Sequence, residues 1–195
     1  MAHTNKPGYY HLWITATDDQ YFFRSALDKA YFLTLLQDAL SPRRRLSNLS
    51  SIADILAIEV SLLAYSLTDS SVHLLLYTMR RTAIDELGQR LLTHYVEYIN
   101  QYHTHPKVPF DTLFIFDRLT GPHAALGVSR EIHMLHDDWR HDRYSSIGFY
   151  LDDRRGDWLS LWRLTPLYDN NPEFYLEYLK SPETETNKLF EFIQT

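Results

Sequence analysis

The sequence contains no cysteine. That excludes a disulfide, a thiolate nucleophile and a cysteine-ligated zinc site. Glycine is sparse, with six in 195 residues, and no glycine-rich phosphate-binding loop is present. Lysine is scarcer, at five. No apolar run approaches the roughly 18 residues that a membrane span needs. Met1 to Gly8 is polar and carries no apolar signal-peptide segment. These absences lead to the expectation of a cytoplasmic protein that makes no membrane contact. Internal repeats, low-complexity tracts, a supported serine–histidine–acid pattern and paired carboxylates are all missing as well.

What is present is a chain able to build a core, since 45% of its residues are hydrophobic. Its length fits one domain over residues 1–195, with a core at about 9–125 and a helical C-terminal part at about 126–195. The net charge of -6 opposes non-specific nucleic-acid binding, which depends on cations displacing counterions. The charge is uneven. Asp152 to Thr195 holds nine acids and five bases, a net of -4, which leaves -2 for the longer N-terminal part. Arginine outnumbers lysine fourteen to five, and two clusters stand out, Arg43-Arg44-Arg45 and Arg80-Arg81. A local basic patch is compatible with the acidic total.

Tyr9 to Ala16 is aromatic and β-branched and reads as a strand, which Tyr21-Phe22-Phe23 is expected to extend. Ser25 caps a helix to about Ala39. Glu59 to Thr78 reads as a hairpin whose polar turn precedes Ser71-Val72-His73. Thr82 is the expected N-cap of a long helix to about Gln101, with Ile84, Leu87, Leu91, Tyr95 and Tyr98 on one face. Leu113 to Phe116 is a further strand, and Val128 to Asp138 reads as helix. Short helices follow, with turns at Asp152 to Gly156 and Asp169 to Pro172. The order predicts an α+β fold: a central antiparallel sheet of about four to five strands flanked by helices, close to a split βαβ, ferredoxin-like arrangement, with a helical C-terminal extension.

Several segments together resemble the REP-associated tyrosine transposases, a branch of the single-tyrosine HUH family. Tyr9-Tyr10-His11-Leu12, followed by Gln20, Phe23 and Arg24, is similar to that family's opening strand and loop. Leu63-Ala64-Tyr65-Ser66-Leu67 with Val72-His73-Leu74-Leu75-Leu76 resembles its central hairpin. Tyr95 to Asn100 is similar to the end of its long helix. Ile132-His133-Met134, Tyr144-Ser145-Ser146, Tyr150-Leu151 and Asp157-Trp158-Leu159 resemble later stretches in the same order.

The resemblance implies a DNA-nicking fold. In the family, two histidines on one strand hold a magnesium or manganese ion with a third polar ligand, because residues i and i+2 share a face. The metal polarises the scissile phosphate, and a tyrosine attacks to form a covalent link. Here the first histidine position holds Ser71, and only His73 remains as a metal candidate. A serine hydroxyl is a poor substitute for imidazole, so the divalent ion is expected to be absent or weakly bound. The segment matching the nucleophile, Phe116 to His123, contains no tyrosine. Aspartate at position 19 stands where the family has an arginine, so this edge has lost donors to phosphate.

The expectation is therefore a transposase-like protein that binds hairpin or single-stranded DNA and has lost most or all cleavage. Arg43, Arg44, Arg45, Arg80 and Arg81 are the candidate DNA contacts. One alternative is an active enzyme with Tyr102 or Tyr144 as nucleophile and His133 or His136 as ligands. The other is a protein-interaction module that no longer binds DNA. A homodimer is compatible with each. His103 and His105 have the spacing of a metal pair but sit in a proline-containing loop. His133, His136 and His141 straddle a helix end and read as satisfied surface residues.

Overall fold

In the computed structural model of the chain, residues 6–16, 21–41, 56, 58–103 and 114–181 are described. Strands β1 (Gly8–Thr15), β2 (Val60–Leu67), β3 (Ser71–Thr78) and β4 (Phe114–Leu119) form a sheet in the order β2-β3-β1-β4. Every neighbouring pair is antiparallel. β1 and β2 therefore run parallel with β3 between them, and β3 and β4 run parallel with β1 between them. Helix α1 (Ala26–Leu40) follows β1 and α2 (Thr82–Tyr102) follows β3. The result is two interlocked split βαβ units, as the element order predicts.

Strand alternation gives the sheet two unlike faces. Tyr10, Leu12 and Ile14 of β1 and Val72, Leu74 and Leu76 of β3 pack under α1 and α2. Phe32 and Leu36 come down from α1, and Ile84, Leu87, Leu91 and Tyr95 from α2, at the spacing of one helical face. The two helices are pinned at their ends. Ser25 caps α1 in a reciprocal capping box with Asp28. The buried Asp28 carboxylate also accepts from Tyr98 at 3.2 Å and bonds His103 at 3.0 Å, which ties the start of α1 to the end of α2. Burial works against the charge on Asp28, but bonds from His103, the Arg24 backbone and Tyr98 hold its carboxyl below the ordinary value.

Tyr21 to Phe23 does not extend the sheet. Phe22 and Phe23 are buried in a turn, with ring centroids 4.9 and 5.5 Å from Tyr95, and the Tyr95 hydroxyl donates to the Phe22 carbonyl at 2.8 Å. Their apolar area is buried by packing on α2 rather than by a strand ladder. Thr82 is the first helical residue, not the cap; Arg81 holds the cap position, and its side chain does not cap the helix.

β2 carries a bulge between Leu62 and Ala64. Leu62 and Tyr65 therefore face α1 and α2, while Leu63 and Ala64 both face the other side. The outer edge of β2 is covered by the C-terminal part of the chain. Leu67 N–H donates to the Tyr144 carbonyl at 3.0 Å, Ser146 N–H to Tyr65 at 2.8 Å, and Ser160 N–H to Leu62 at 2.7 Å. A sheet edge open to pairing with another chain is thereby closed.

The expected helix at Val128 to Asp138 starts earlier and stops sooner. Helix α3 spans Pro122–His133, because Pro122 after Gly121 is preset for a first helical turn. Its inward face is Ala125, Leu126, Ser129, Ile132 and His133. His133 is thus a buried residue, not a surface one, with 1% of its area exposed. Its Nδ1 bonds the Tyr175 hydroxyl at 2.7 Å and its Nε2 bonds Ser146 Oγ at 2.7 Å. Tyr175 lies on α5 (Pro172–Lys180), which follows the short α4 (Ile147–Tyr150). Ser146 Oγ in turn accepts from Tyr65 N–H of β2 at 2.8 Å. One imidazole therefore joins α3, α5 and the strip that closes the sheet edge.

Burial pushes His133 down to about 3, with Arg154 adding to the effect. The unfolded chain takes up this proton near pH 6.5 and the folded chain does not. Stability from this group is full above pH 6.5 and falls as the pH drops toward 3. His133→Phe should cost about 1–3 kcal/mol in urea unfolding at pH 7, because it removes two buried hydrogen bonds, one to the Tyr175 hydroxyl and one to Ser146 Oγ. It should also flatten the dependence of stability on pH between 6.5 and 4, and an unchanged slope would contradict the arrangement.

Candidate functional site

The sheet face opposite α1 and α2 carries the polar cluster. β3 presents Ser71, His73, Leu75 and Tyr77 there, and β1 presents Tyr9, His11 and Trp13. The antiparallel register sets Trp13 against His73, His11 against Leu75, and Tyr9 against Tyr77. Helix α3 covers the Leu75 end, where Ala125 and Leu126 pack with Leu63, Ala64 and Leu75. Toward Ser71 the face is half-open, and Trp13 and His73 are only partly buried.

A chain of short contacts runs across this face. Thr68 Oγ1 lies 2.7 Å from Ser71 Oγ, Ser71 Oγ lies 3.0 Å from His73 Nε2, and His73 Nδ1 lies 3.2 Å from His11 Nε2. Proton directions follow from acceptor capacity. Thr68 Oγ1 already accepts the N–H groups of Ser70 and Ser71 at 3.2 and 2.9 Å. Both of its lone pairs are engaged, so Thr68 donates to Ser71. Ser71 then donates to His73 Nε2, and His73 carries its proton on Nδ1 and donates to His11. Burial pushes His11 and His73 down to about 4, and at His73 the facing His11 adds to the effect. Both imidazoles are neutral at pH 7.

This geometry does not fit a same-strand metal pair. Ser71 and His73 do share a face, but they bond to each other rather than aim at a common ion. Among the described residues no group of three histidine, aspartate or glutamate side chains is placed to hold a metal.

The other candidate residues lie elsewhere. Tyr102 is exposed at the end of α2, its ring 5.0 Å from Tyr98, in the helical layer on the opposite side of the sheet. Tyr144 donates to the Ala26 carbonyl at 3.0 Å and lies under the Lys29 ammonium, also beside α1. Neither hydroxyl is brought to His73. Tyr9 and Tyr77 do share the site face, with ring centroids 5.1 Å apart. Tyr77 stands four residues along β3 from His73, about 13 Å at strand rise, and the Arg163 guanidinium covers its ring at 3.6 Å. The rest of the described tyrosines are largely structural, and burial pushes the Tyr65 hydroxyl up to about 12.

Arg80 is engaged by two carboxylates, Glu59 at 2.6 Å and Glu86 at 2.8 Å. Those bonds hold its proton more tightly than usual. Arg81 lies over the Phe116 ring at 4.8 Å and 3.9 Å from Asp85. Arg43, Arg44, Arg45 and His105 fall outside the described residues. His103 serves Asp28. His141 lies 2.9 Å from Asp138 on the surface, and His136 lies 3.4 Å from Asp142. With α3 ending at His133, His136 shares no helical face with it.

The residue that sequence reasoning passes over is His11. Alternation along β1 puts it with Trp13, but only the β1–β3 register brings it to His73. No family model, curated protein or solved structure matches this chain.

Side-chain NMR should find His11 and His73 titrating near pH 4 rather than near 6.5. Ser71→Ala should shift the His73 ring-nitrogen signals at pH 7 by removing the donor to Nε2. Ordinary titration of both rings would show that they are not packed as described.

Proposed function

We propose that this protein binds single-stranded or hairpin DNA on the half-open sheet face around Trp13, His11 and His73, and that it does not cut DNA through a tyrosine. The sequence resemblance to single-tyrosine HUH transposases supplies the substrate class. The observation that carries the reading is the split βαβ sheet presenting Ser71 and His73 together on a partly open face. Trp13 adds an aromatic surface there, its ring 5.1 Å from His11. An indole beside neutral imidazoles suits base stacking, which tolerates any sequence. Loss of cleavage follows from two features of the same face. A hydroxyl occupies the first ligand position, and no described tyrosine hydroxyl stands beside His73. A metal-bound phosphate with no nucleophile in line gains little rate.

A second reading has its own support. The carboxylates on Arg80 remove a cation from phosphate binding, and β4 is an edge strand with Ile115 exposed. An edge with no partner strand among the described residues, beside an apolar side chain, suits another polypeptide. That reading makes the chain a protein-interaction module.

Hairpin-bearing single strands incubated with the protein and manganese should yield no covalent adduct; an adduct abolished by one Tyr→Phe change would restore the enzyme. At about 50 mM salt, where phosphate contacts are strong, the same DNA should bind. Trp13→Ala should weaken that binding by about 1–3 kcal/mol, the usual worth of one stacked base. No affinity for any DNA at that salt would leave the interaction module.

A further inference from the structure

We propose that His11 and His73 form a cross-strand site for a borderline transition-metal cation such as zinc, with Ser71 orienting His73 from outside the coordination sphere. The donors differ from a His-x-His pair on one strand: one comes from β1 and one from β3. The proposal does not depend on DNA binding.

His11 Nε2 and His73 Nδ1 are 3.2 Å apart. Two imidazole nitrogens bound at about 2.05 Å to a tetrahedral ion lie about 3.3 Å apart. The ring centroids are 5.4 Å apart with 30° between the planes. That separation is much longer than the nitrogen separation, so the rings meet edge to edge, nitrogen to nitrogen. The nitrogens already have the spacing of a tetrahedral pair, and turning each ring by roughly 35° aims both lone pairs at one ion.

The surroundings favour a cation. Asp117 of β4 faces His11 across the β1–β4 ladder, on the same side of the sheet, and is exposed. Its carboxylate adds negative charge to this face. Two imidazoles select zinc, cobalt or nickel over magnesium, which prefers oxygen donors. The remaining coordination positions fall to water or to an anionic oxygen, because no third protein ligand is in place among the described residues.

Ser71 then has a defined part. Metal binding requires the Nδ1 lone pair of His73, so the ring proton must move to Nε2. Ser71 Oγ, 3.0 Å from Nε2, accepts it and holds the ring in that tautomer. Metal-bound histidines commonly use their second nitrogen in this way. The serine that breaks the same-strand pair becomes the residue that aims the remaining histidine. Ser71 is a positioning residue in this account.

The test uses the full chain without an affinity tag, titrated with zinc ions alone at pH 7.5. Calorimetry should show one saturable equivalent. Side-chain nitrogen NMR on the same sample should show His11 Nε2 and His73 Nδ1 shifting together, with no variant needed. His11→Gln and His73→Gln, each checked for retained fold by circular dichroism, should remove that equivalent. Ser71→Ala should weaken it by roughly tenfold. Absence of binding up to about 1 mM zinc, or zinc shifting only other histidines, would overturn the proposal. DNA binding measured with zinc chelated reports separately on the proposed function.

Discussion

In the ladder between β1 and β3, Trp13 stands against His73 and Tyr9 against Tyr77. A slip of β1 by one residue would turn Leu12 and Ile14 out of the core and drive His11 and Trp13 into it. Two fully buried aliphatic side chains on one face, and an imidazole and an indole on the other, make that slip costly. The register is held by the α1–α2 core, yet its chemical consequence lies on the opposite face. There it sets the 3.2 Å approach of His11 to His73 and the polar chain that ends at Thr68. The site is a by-product of packing in the sense that His11, Ser71 and His73 all stand on strands, and only Thr68 comes from the turn before β3.

Electrostatics sets the character of that face. The chain as a whole is acidic, and its described basic cluster is neutralised internally by Glu59 and Glu86. Long-range attraction of phosphate by the described residues is therefore weak, and in the proposed complex recognition rests on short-range contacts: an indole, two neutral imidazoles and hydroxyls. Such a surface offers stacking, imidazole nitrogens and hydrogen bonds. It does not accumulate polyanions by charge, and binding through it should depend less steeply on salt than binding through an arginine patch.

Much of the fold was legible in the residues. The spacing of Ile84, Leu87, Leu91 and Tyr95 gave α2, and Ser25 marked the start of α1. Ser71 and His73 could be placed on one face because strand alternation needs no knowledge of the partner strand. Three features were hidden for physical reasons. The bulge at Leu62 and Ala64 leaves no trace in an unbroken apolar run. The aromatic Tyr21 to Phe23 stretch looks like strand by composition, but Phe22 and Phe23 find their burial on Tyr95 and Tyr21 stays exposed. His11 and His73 are 62 residues apart, and only long-range pairing joins them. Arg80 illustrates the same limit from the other side, since a basic pair in sequence gives no sign of the carboxylates that close on it.

The proposed DNA surface is the sheet face around Trp13, His11 and His73. Backbone and side-chain NMR shifts, recorded while a single-stranded hairpin is titrated into the labelled protein, locate the contact. The largest shifts should fall at Trp13, His11, Ser71 and His73, with α1 and α2 on the far side of the sheet unaffected. Shifts confined to the α1–α2 side or to β4, or none at saturating DNA, would contradict this placement.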